Sequence, residues 1–236
     1  MLKKIFYLKK IDAPIGIYFS FLKYCIFDKL TKPFRDNFQK KHKNLLKNKL
    51  ISYDWFSKHC FYFYWNIRKI KKKNFKYLEI GVFEGNSFLF VISQFKPAIS
   101  YAVDPWINSD DKHTALKFTH KMNEIEKNFD NNLSEFRSQY NKIKKKSEFF
   151  LEESQEIFDV IYIDGDHTYS RVLSDAIKSW KLLNKNGILI FDDYFYHYPH
   201  NPRGYVGFAI NNFLTKIKKK YKILLVSKNQ IFIKKL

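Results

Sequence analysis

Acidic residues recur in this 236-residue chain where short apolar runs end. Phe158-Asp-Val-Ile-Tyr-Ile-Asp164 runs into Gly165-Asp-His-Thr-Tyr169, and Gly187-Ile-Leu-Ile-Phe191 runs into Asp192-Asp193-Tyr194. If these runs are neighbouring strands, Asp164, Asp192 and Asp193 converge, and three carboxylates repel unless they are protonated or bridged by a cation. An oxygen-only set suits Mg²⁺, with Mn²⁺ or Ca²⁺ as substitutes. Local capping is the plainer role: Asp166 or Thr168 for the helix from Ser170, and one of Asp192 and Asp193 for a turn. Capping accounts for one or two of these positions, not for all. His167 titrates near neutrality and suits a general base, or else it holds its loop together. His197, His200 and Arg203 follow in the loop from Tyr194 to Gly204, where they could line a substrate pocket, with Arg203 holding an anionic group bidentately. Their spacing does not specify zinc.

A second group surrounds Glu79-Ile-Gly-Val-Phe-Glu-Gly85, which ends the apolar run Tyr77 to Ile80 and precedes a helical pattern from Asn86. A strand that turns through glycines into a helix leaves backbone N–H groups facing an incoming ligand, so a cofactor belongs beside Gly81 and Gly85. Phe83 stands where a dinucleotide fingerprint has its second glycine, and its side chain crowds a pyrophosphate. The turn therefore suits a cofactor with a ribose but no pyrophosphate there. Asp104, ending the next run in Tyr101-Ala-Val-Asp-Pro-Trp106, is placed to accept hydrogen bonds from two ribose hydroxyls.

Bringing these residues to one edge takes an open α/β sheet, whose ligands sit beyond the carboxyl ends of the strands. From Phe75 onward, short apolar runs alternate with longer helical patterns, as βαβ units require. Strands are predicted at 76–80, 99–103, about 141–145, 158–163 and 187–192, and helices at 86–94, about 112–128, 170–183 and 206–218. The runs Tyr221 to Ser227 and Gln230 to Lys235 are joined by Lys228-Asn229 alone, too short for a crossover, so they pair antiparallel. Upstream, the chain reads as basic helices to about residue 50, with Pro14 and Pro33 as breakers. Tyr53, Trp55, Phe56, Phe61, Phe63 and Trp65 then read as helices closing the core, with base stacking or a subunit interface as other uses. The division expected is a basic, mainly helical extension, 1–52, and a domain, 53–236.

An apolar share of 45% places the chain among globular proteins. The formal charge of +20 is uneven: the first 76 residues hold 20 Lys or Arg against 4 Asp. Such a segment docks on anionic lipid, nucleic acid or an acidic partner, or is simply a solvated face. Cys25 and Cys60 match no metal or redox spacing and are expected as buried or half-buried thiols. The stretch Ile15 to Phe27 contains Lys23 and is too short to span a bilayer, and the start lacks a signal-peptide core. A cytoplasmic protein is expected, with Phe19, Phe21 and nearby lysines either resting on the inner face of a membrane or packing on the domain.

Taken together, Tyr77-Leu-Glu-Ile-Gly-Val-Phe-Glu-Gly-Asn-Ser87, Ala102-Val-Asp-Pro-Trp106, the block Phe158 to Tyr169 and Gly187-Ile-Leu-Ile-Phe-Asp-Asp-Tyr194 carry a resemblance over residues 53–236. The chain resembles a class I S-adenosylmethionine-dependent methyltransferase, of the group related to small-molecule O-methyltransferases of antibiotic biosynthesis. The resemblance implies an α/β, Rossmann-like open sheet, mainly parallel with a C-terminal antiparallel hairpin and flanked by helices. It implies that Glu79, Gly81 and Gly85 shape the methionine end of the cofactor site with Ser87 nearby. Asp104 would bind the ribose, and Ser147 would lie at the adenine edge. In metal-dependent relatives the carboxylates matching Asp164, Asp192 and Asp193 hold Mg²⁺, and a histidine like His167 serves as base in some. Two features depart from the pattern: no acidic residue is evident near Lys146-Ser147, and residues 1–50 fall outside it.

The reaction implied is in-line methyl transfer to a hydroxyl of a small molecule or saccharide. The acceptor pocket is expected from the loop 105–125, the segment 194–205 and the N-terminal extension. The alternative is a basic nucleic-acid or membrane-surface binding protein with a degenerate methyltransferase fold. Nucleic acid is disfavoured because Asp192-Asp193-Tyr194 lacks the Pro-Pro pair with which base methyltransferases grip an exocyclic amine. An NAD-dependent oxidoreductase is opposed by Phe83 and the terminal hairpin. A homo-oligomer is left open.

Overall fold

Phe158–Ile163 is buried at every residue, as a parallel strand covered on both faces must be, and it is the central strand of seven. The computed structural model describes residues 2–70, 74–107, 122–196 and 201–236. Its strands are β1 (Lys76–Ile80), β2 (Ile99–Val103), β3 (Tyr140–Ile143), β4 (Phe158–Ile163), β5 (Leu183–Phe191), β6 (Tyr221–Val226) and β7 (Ile231–Lys235). They lie in the order β3-β2-β1-β4-β5-β7-β6. The first five run parallel, whereas β7 pairs antiparallel with both β5 and β6, as the short connection Lys228-Asn229 demands. The strand order reverses between β1 and β4, and an open sheet of this kind binds ligands at that crevice.

Four helices precede the sheet: α1 (Leu2–Lys10), α2 (Ile15–Leu30), α3 (Lys32–Leu45) and α4 (Cys60–Ile67). Among the described residues the later helices are α5 (Asn86–Phe95), α6 (Met122–Asn132), α7 (Ser147–Glu153), α8 (Tyr169–Leu182) and α9 (Val206–Lys216). Residues 112–121 of the helix expected at 112–128 lie outside the described residues, and α6 runs on to Asn132. The short α7 was not expected, and β5 starts at Leu183, directly where α8 stops, rather than at Gly187. Pro14 and Pro33 mark the breaks between α1 and α2 and between α2 and α3, each at the start of the following helix, where a missing N–H costs nothing.

The aromatic stretch divides. Phe63 of α4 meets Tyr162 and Phe232 edge-on, at 4.9 and 5.6 Å between ring centres, and so covers one face of the sheet. Tyr53 and Trp55 instead stay exposed. The N-terminal helices share the same core: Tyr7, Leu8, Ile11, Ile17, Phe21 and Tyr24 are buried within it. Asn211 Nδ2 donates to Ile11 O at 2.8 Å, and Ser20 Oγ accepts the Val226 N–H at 3.0 Å, tying α2 to β6. Cys60 is buried and Cys25 half-buried, both as free thiols. Among the described residues no helix is long and apolar enough to cross a membrane.

Candidate active site

The parallel register sets four strand ends level. Ile80 faces both Val103 and Ile163, and Ile163 faces Phe191. The next residue on each strand is Gly81, Asp104, Asp164 or Asp192. Their N–H groups continue the ladder: Gly81 donates to Val103 O at 2.9 Å, Asp164 to Ile80 O at 2.8 Å and Asp192 to Ile163 O at 3.0 Å. One rim therefore presents a glycine and three acids side by side.

On the β1–β2 flank, Gly81 has φ +81°, and a Cβ there would stand 2.1 Å from the Asp164 carbonyl oxygen. No other residue fits so close an approach. Gly85, at φ +83°, begins α5, and a Cβ on it would meet Leu133 at 2.5 Å, so its hydrogen faces α6 packing. Between them Phe83 adopts a left-handed φ of +50°, as does Trp106 at +45° across the crevice. Asp104 stabilises both strained residues: Oδ2 accepts the Phe83 N–H at 3.0 Å and Oδ1 the Trp106 N–H at 2.7 Å. Burial raises its pKa against the pull of these donors.

Glu79 lies wholly buried beneath the turn, where Tyr77 OH and Ser87 Oγ donate to its two oxygens. Burial pushes its carboxyl up to about 8; the two hydrogen bonds pull it down, and Asp192 and Asp104 push it further up. Ser147 Oγ donates to Asp175 Oδ1 at 2.8 Å, anchoring the start of α7 to α8, and burial lifts Asp175 to about 7. A cleft of about 50 Å³ opens beside Gly81, lined by Val82, Phe83, Ser87 and Asp164. Its outer wall is Tyr53 stacked on Trp55, 5.0 Å apart, with Trp55 also 5.4 Å from Phe83.

On the β4–β5 flank, one ligating atom each from Asp164, His167 and Asp193 lies within 4.8 Å of the others. His167 Nε2 pairs with Asp193 Oδ2 at 2.7 Å, and its ring packs edge-on against Tyr196. Burial alone would raise Asp193, but the His167 hydrogen bond and charge, aided by His59 and Lys58, hold it below the usual range. Asp192 stands apart from this trio. Its carboxylate accepts from Tyr162 OH, from Gln230 Nε2 at 3.1 Å and from the Asp193 N–H at 2.7 Å. The Tyr162 hydroxyl also lies 3.0 Å from Asp164 Oδ2, and its one proton serves only one carboxylate at a time. Burial, with the neighbouring carboxylates, accordingly lifts Asp164 well above the carboxylate range and Asp192 to about 6.

Of the expected metal set, Asp164 and Asp193 come within reach of one another together with His167, while Asp192 turns toward Tyr162 and Gln230. The left-handed backbone of Asp193, φ +50°, separates the two adjacent acids. Asp166 Oδ1 accepts the Thr168 N–H at 2.8 Å, a local turn that leads into α8. Arg203 bonds to Asp12 at 3.0 Å rather than standing open to an anion. His197 and His200, like residues 108–121 of the loop 105–125, lie outside the described residues.

Residues 78–194 match the family described as Methyltransferase domain. The chain belongs to that methyltransferase family. Its sheet shares the fold of solved methyltransferases. It is 30% identical over 129 residues to an uncharacterized protein of Acanthamoeba polyphaga mimivirus, a match covering 52% of this chain and 53% of that one. The chain thus spans about half the length of this curated relative. Among solved structures, the O-methyltransferase NovP is similar with a TM-score of 0.53 at 14% identity, covering 68% of this chain and 72% of its own. MycE, a methyltransferase of the mycinamycin biosynthetic pathway solved with Mg, SAH and mycinamycin VI, has a TM-score of 0.56 at 17% identity, covering 84% and 54%.

Sequence reasoning passed over two residues at the methyltransferase rim, Tyr162 and Gln230, and read Tyr53 and Trp55 chiefly as core-closing aromatics, whereas both are exposed beside the cleft. Tyr162 was within reach, since two residues before Asp164 in a strand it shares the same face. Gln230 precedes Ile231, which pairs with Phe191, so the hairpin register carries it level with Asp192.

Proposed function

We propose that this domain transfers the methyl group of S-adenosylmethionine to a hydroxyl of a small molecule or saccharide, assisted by a divalent cation, Mg²⁺ foremost. The reading is carried by the convergence of Asp164, His167 and Asp193 beside the cleft at Gly81. The cleft's features fit the cofactor. Gly81 lets the turn pack against the Asp164 carbonyl, the first N–H groups of α5 suit a carboxylate, and Asp104 keeps lone pairs beyond its two backbone donors for ribose hydroxyls. Glu79, Gly85 and Ser87 act from beneath, by holding the turn, and Ser147 by placing α7. The rim acids fit a cation, because crowded carboxylates are otherwise left sharing one phenolic proton.

S-adenosylmethionine supplies an activated methyl on sulfonium sulfur, so alignment is the protein's main task. A cation held by Asp164 and Asp193 would lower the cost of ionising the acceptor hydroxyl and fix its direction. His167 takes the hydroxyl proton, its ring oriented through Nε2 by Asp193. Asp192 keeps Tyr162 and Gln230 in place behind Asp164. A second reading, favoured by the three-atom cluster, makes His167 a ligand, and its nitrogen would shift preference toward Mn²⁺. The O-methyltransferase NovP supports an oxygen acceptor, and MycE, solved with Mg, supports a cation. Residues 53–236 are then the catalytic domain, and 1–52 an extension packed on it.

Calorimetry with S-adenosylhomocysteine, with and without Mg²⁺ or Mn²⁺, tests the cofactor and the ion. A screen of hydroxylated acceptors with methyl-labelled S-adenosylmethionine tests the transfer. Binding of S-adenosylhomocysteine is expected; its absence would favour a binding protein on a degenerate fold.

A further inference from the structure

Helix α2 carries apolar side chains on two opposite faces, yet only one of these meets the protein. Ile17, Phe21 and Tyr24 are buried against the core. The other side carries Ile15, Phe19, Leu22, Ile26 and Leu30, between 42% and 74% exposed. At ~100° per residue these five fall within about 80° of arc, one continuous stripe opposite the buried face. Of the two uses expected for Phe19 and Phe21, a membrane surface or packing on the domain, Phe21 takes the second, and the exposed side is set by Phe19 and its helical neighbours. A continuous exposed apolar stripe marks an interaction surface, so it calls for an occupant.

Charge selects the occupant. The same helical projection sets Lys23 on one side of the stripe and Lys29 on the other, both exposed. The helix's one acid, Asp28, is on the inner side, held by Tyr62 and Arg35. Next to the stripe a groove of about 590 Å³ runs between α2 and β6, bordered by Phe19, Lys23, Lys219 and Tyr221. Lysine is depleted from the buried centre of protein interfaces but suits lipid headgroups, toward which its ammonium extends while the stem covers apolar surface. At 16 residues α2 is too short to span a bilayer, and its geometry is that of a helix lying in the headgroup plane. We propose that this face of α2 docks the protein on an anionic phospholipid bilayer. The inference does not depend on the methyl-transfer reading.

The test is flotation of the full chain with vesicles of phosphatidylcholine alone and of phosphatidylcholine with phosphatidylglycerol. The protein should float with the anionic vesicles only. The double variant Phe19→Ser, Ile26→Ser should lose at least about ten-fold in partitioning, because two apolar side chains no longer enter the lipid. Lys23→Gln, Lys29→Gln should lose about five-fold per lysine. Both should keep the wild-type unfolding midpoint, since all four residues are exposed. Three results overturn the proposal: no flotation with anionic vesicles, unchanged flotation of the serine variant, or a dimer in sedimentation equilibrium that the serine variant dissolves. Retention on RNA that needs the lysines but not Phe19 and Ile26, with no flotation, would assign the face to nucleic acid instead.

Discussion

The two flanks of the sheet's rim treat their carboxylates in opposite ways. Beside β1 and β2, Glu79 and Asp104 each have both oxygens met by donors from the chain itself. Beside β4 and β5, Asp164 and Asp192 crowd one phenolic proton while Asp193 leans on His167. An acid whose two oxygens are each met by donors of its own chain holds its place without a cation and keeps its remaining lone pairs. Acids short of protons are a place for added positive charge, and the same strand-end position yields either outcome according to what the next turn supplies.

Gly81 is the seam between the flanks, and the largest effect should come from closing it. Gly81→Ala forces a Cβ onto the Asp164 carbonyl at positive φ and should cost about 3 kcal/mol or more in a denaturant titration. A loss under about 1 kcal/mol would show that the flanks are not so tightly joined.

Glu79 should give the next effect. Its folded pKa of about 8 lies above the ordinary 4.5, so its contribution is fully present below pH 4.5 and is lost as pH rises toward 8. Stability should fall by up to about 1.4 kcal/mol per pH unit across that window, and Glu79→Gln should remove this share of the slope. A variant with the wild-type slope would contradict the buried, neutral acid.

Amide replacements then compare the flanks directly. Asp104→Asn turns an NH₂ toward a backbone N–H and should cost about 1–3 kcal/mol. Asp164→Asn relieves like-charge repulsion and should cost less than about 1 kcal/mol, while weakening Mn²⁺ binding followed by electron paramagnetic resonance. Equal costs would erase the contrast. The smallest effect belongs to the exposed cleft wall: Trp55→Ala should leave stability within about 0.5 kcal/mol while lowering S-adenosylhomocysteine affinity about five-fold.

Strands covered on both faces are legible as short runs dominated by apolar residues, which is why 76–80, 99–103 and 158–163 coincide with β1, β2 and β4. The hairpin is equally legible, because two residues cannot hold a crossover. Side-chain direction after a strand ends is another matter. Asp192 and Asp193 look equivalent in sequence, and the left-handed Asp193 together with the distant Tyr162 and Gln230 decides which one faces His167. The short α7 is hidden for a related reason: Ser147 is held by Asp175, 28 residues away. Helix α2 conceals its two faces because both are apolar, so periodicity alone does not say which is inside.

The division of labour across the rim is tested most directly by calorimetric titration of S-adenosylhomocysteine, without divalent ions, into the wild type, Asp104→Ala and Asp193→Ala. Asp104→Ala should weaken binding at least about ten-fold, as the loss of a charge-assisted contact does, with Asp193→Ala within about two-fold of the wild type. Unchanged affinity in Asp104→Ala, or an equal loss in both, would contradict it.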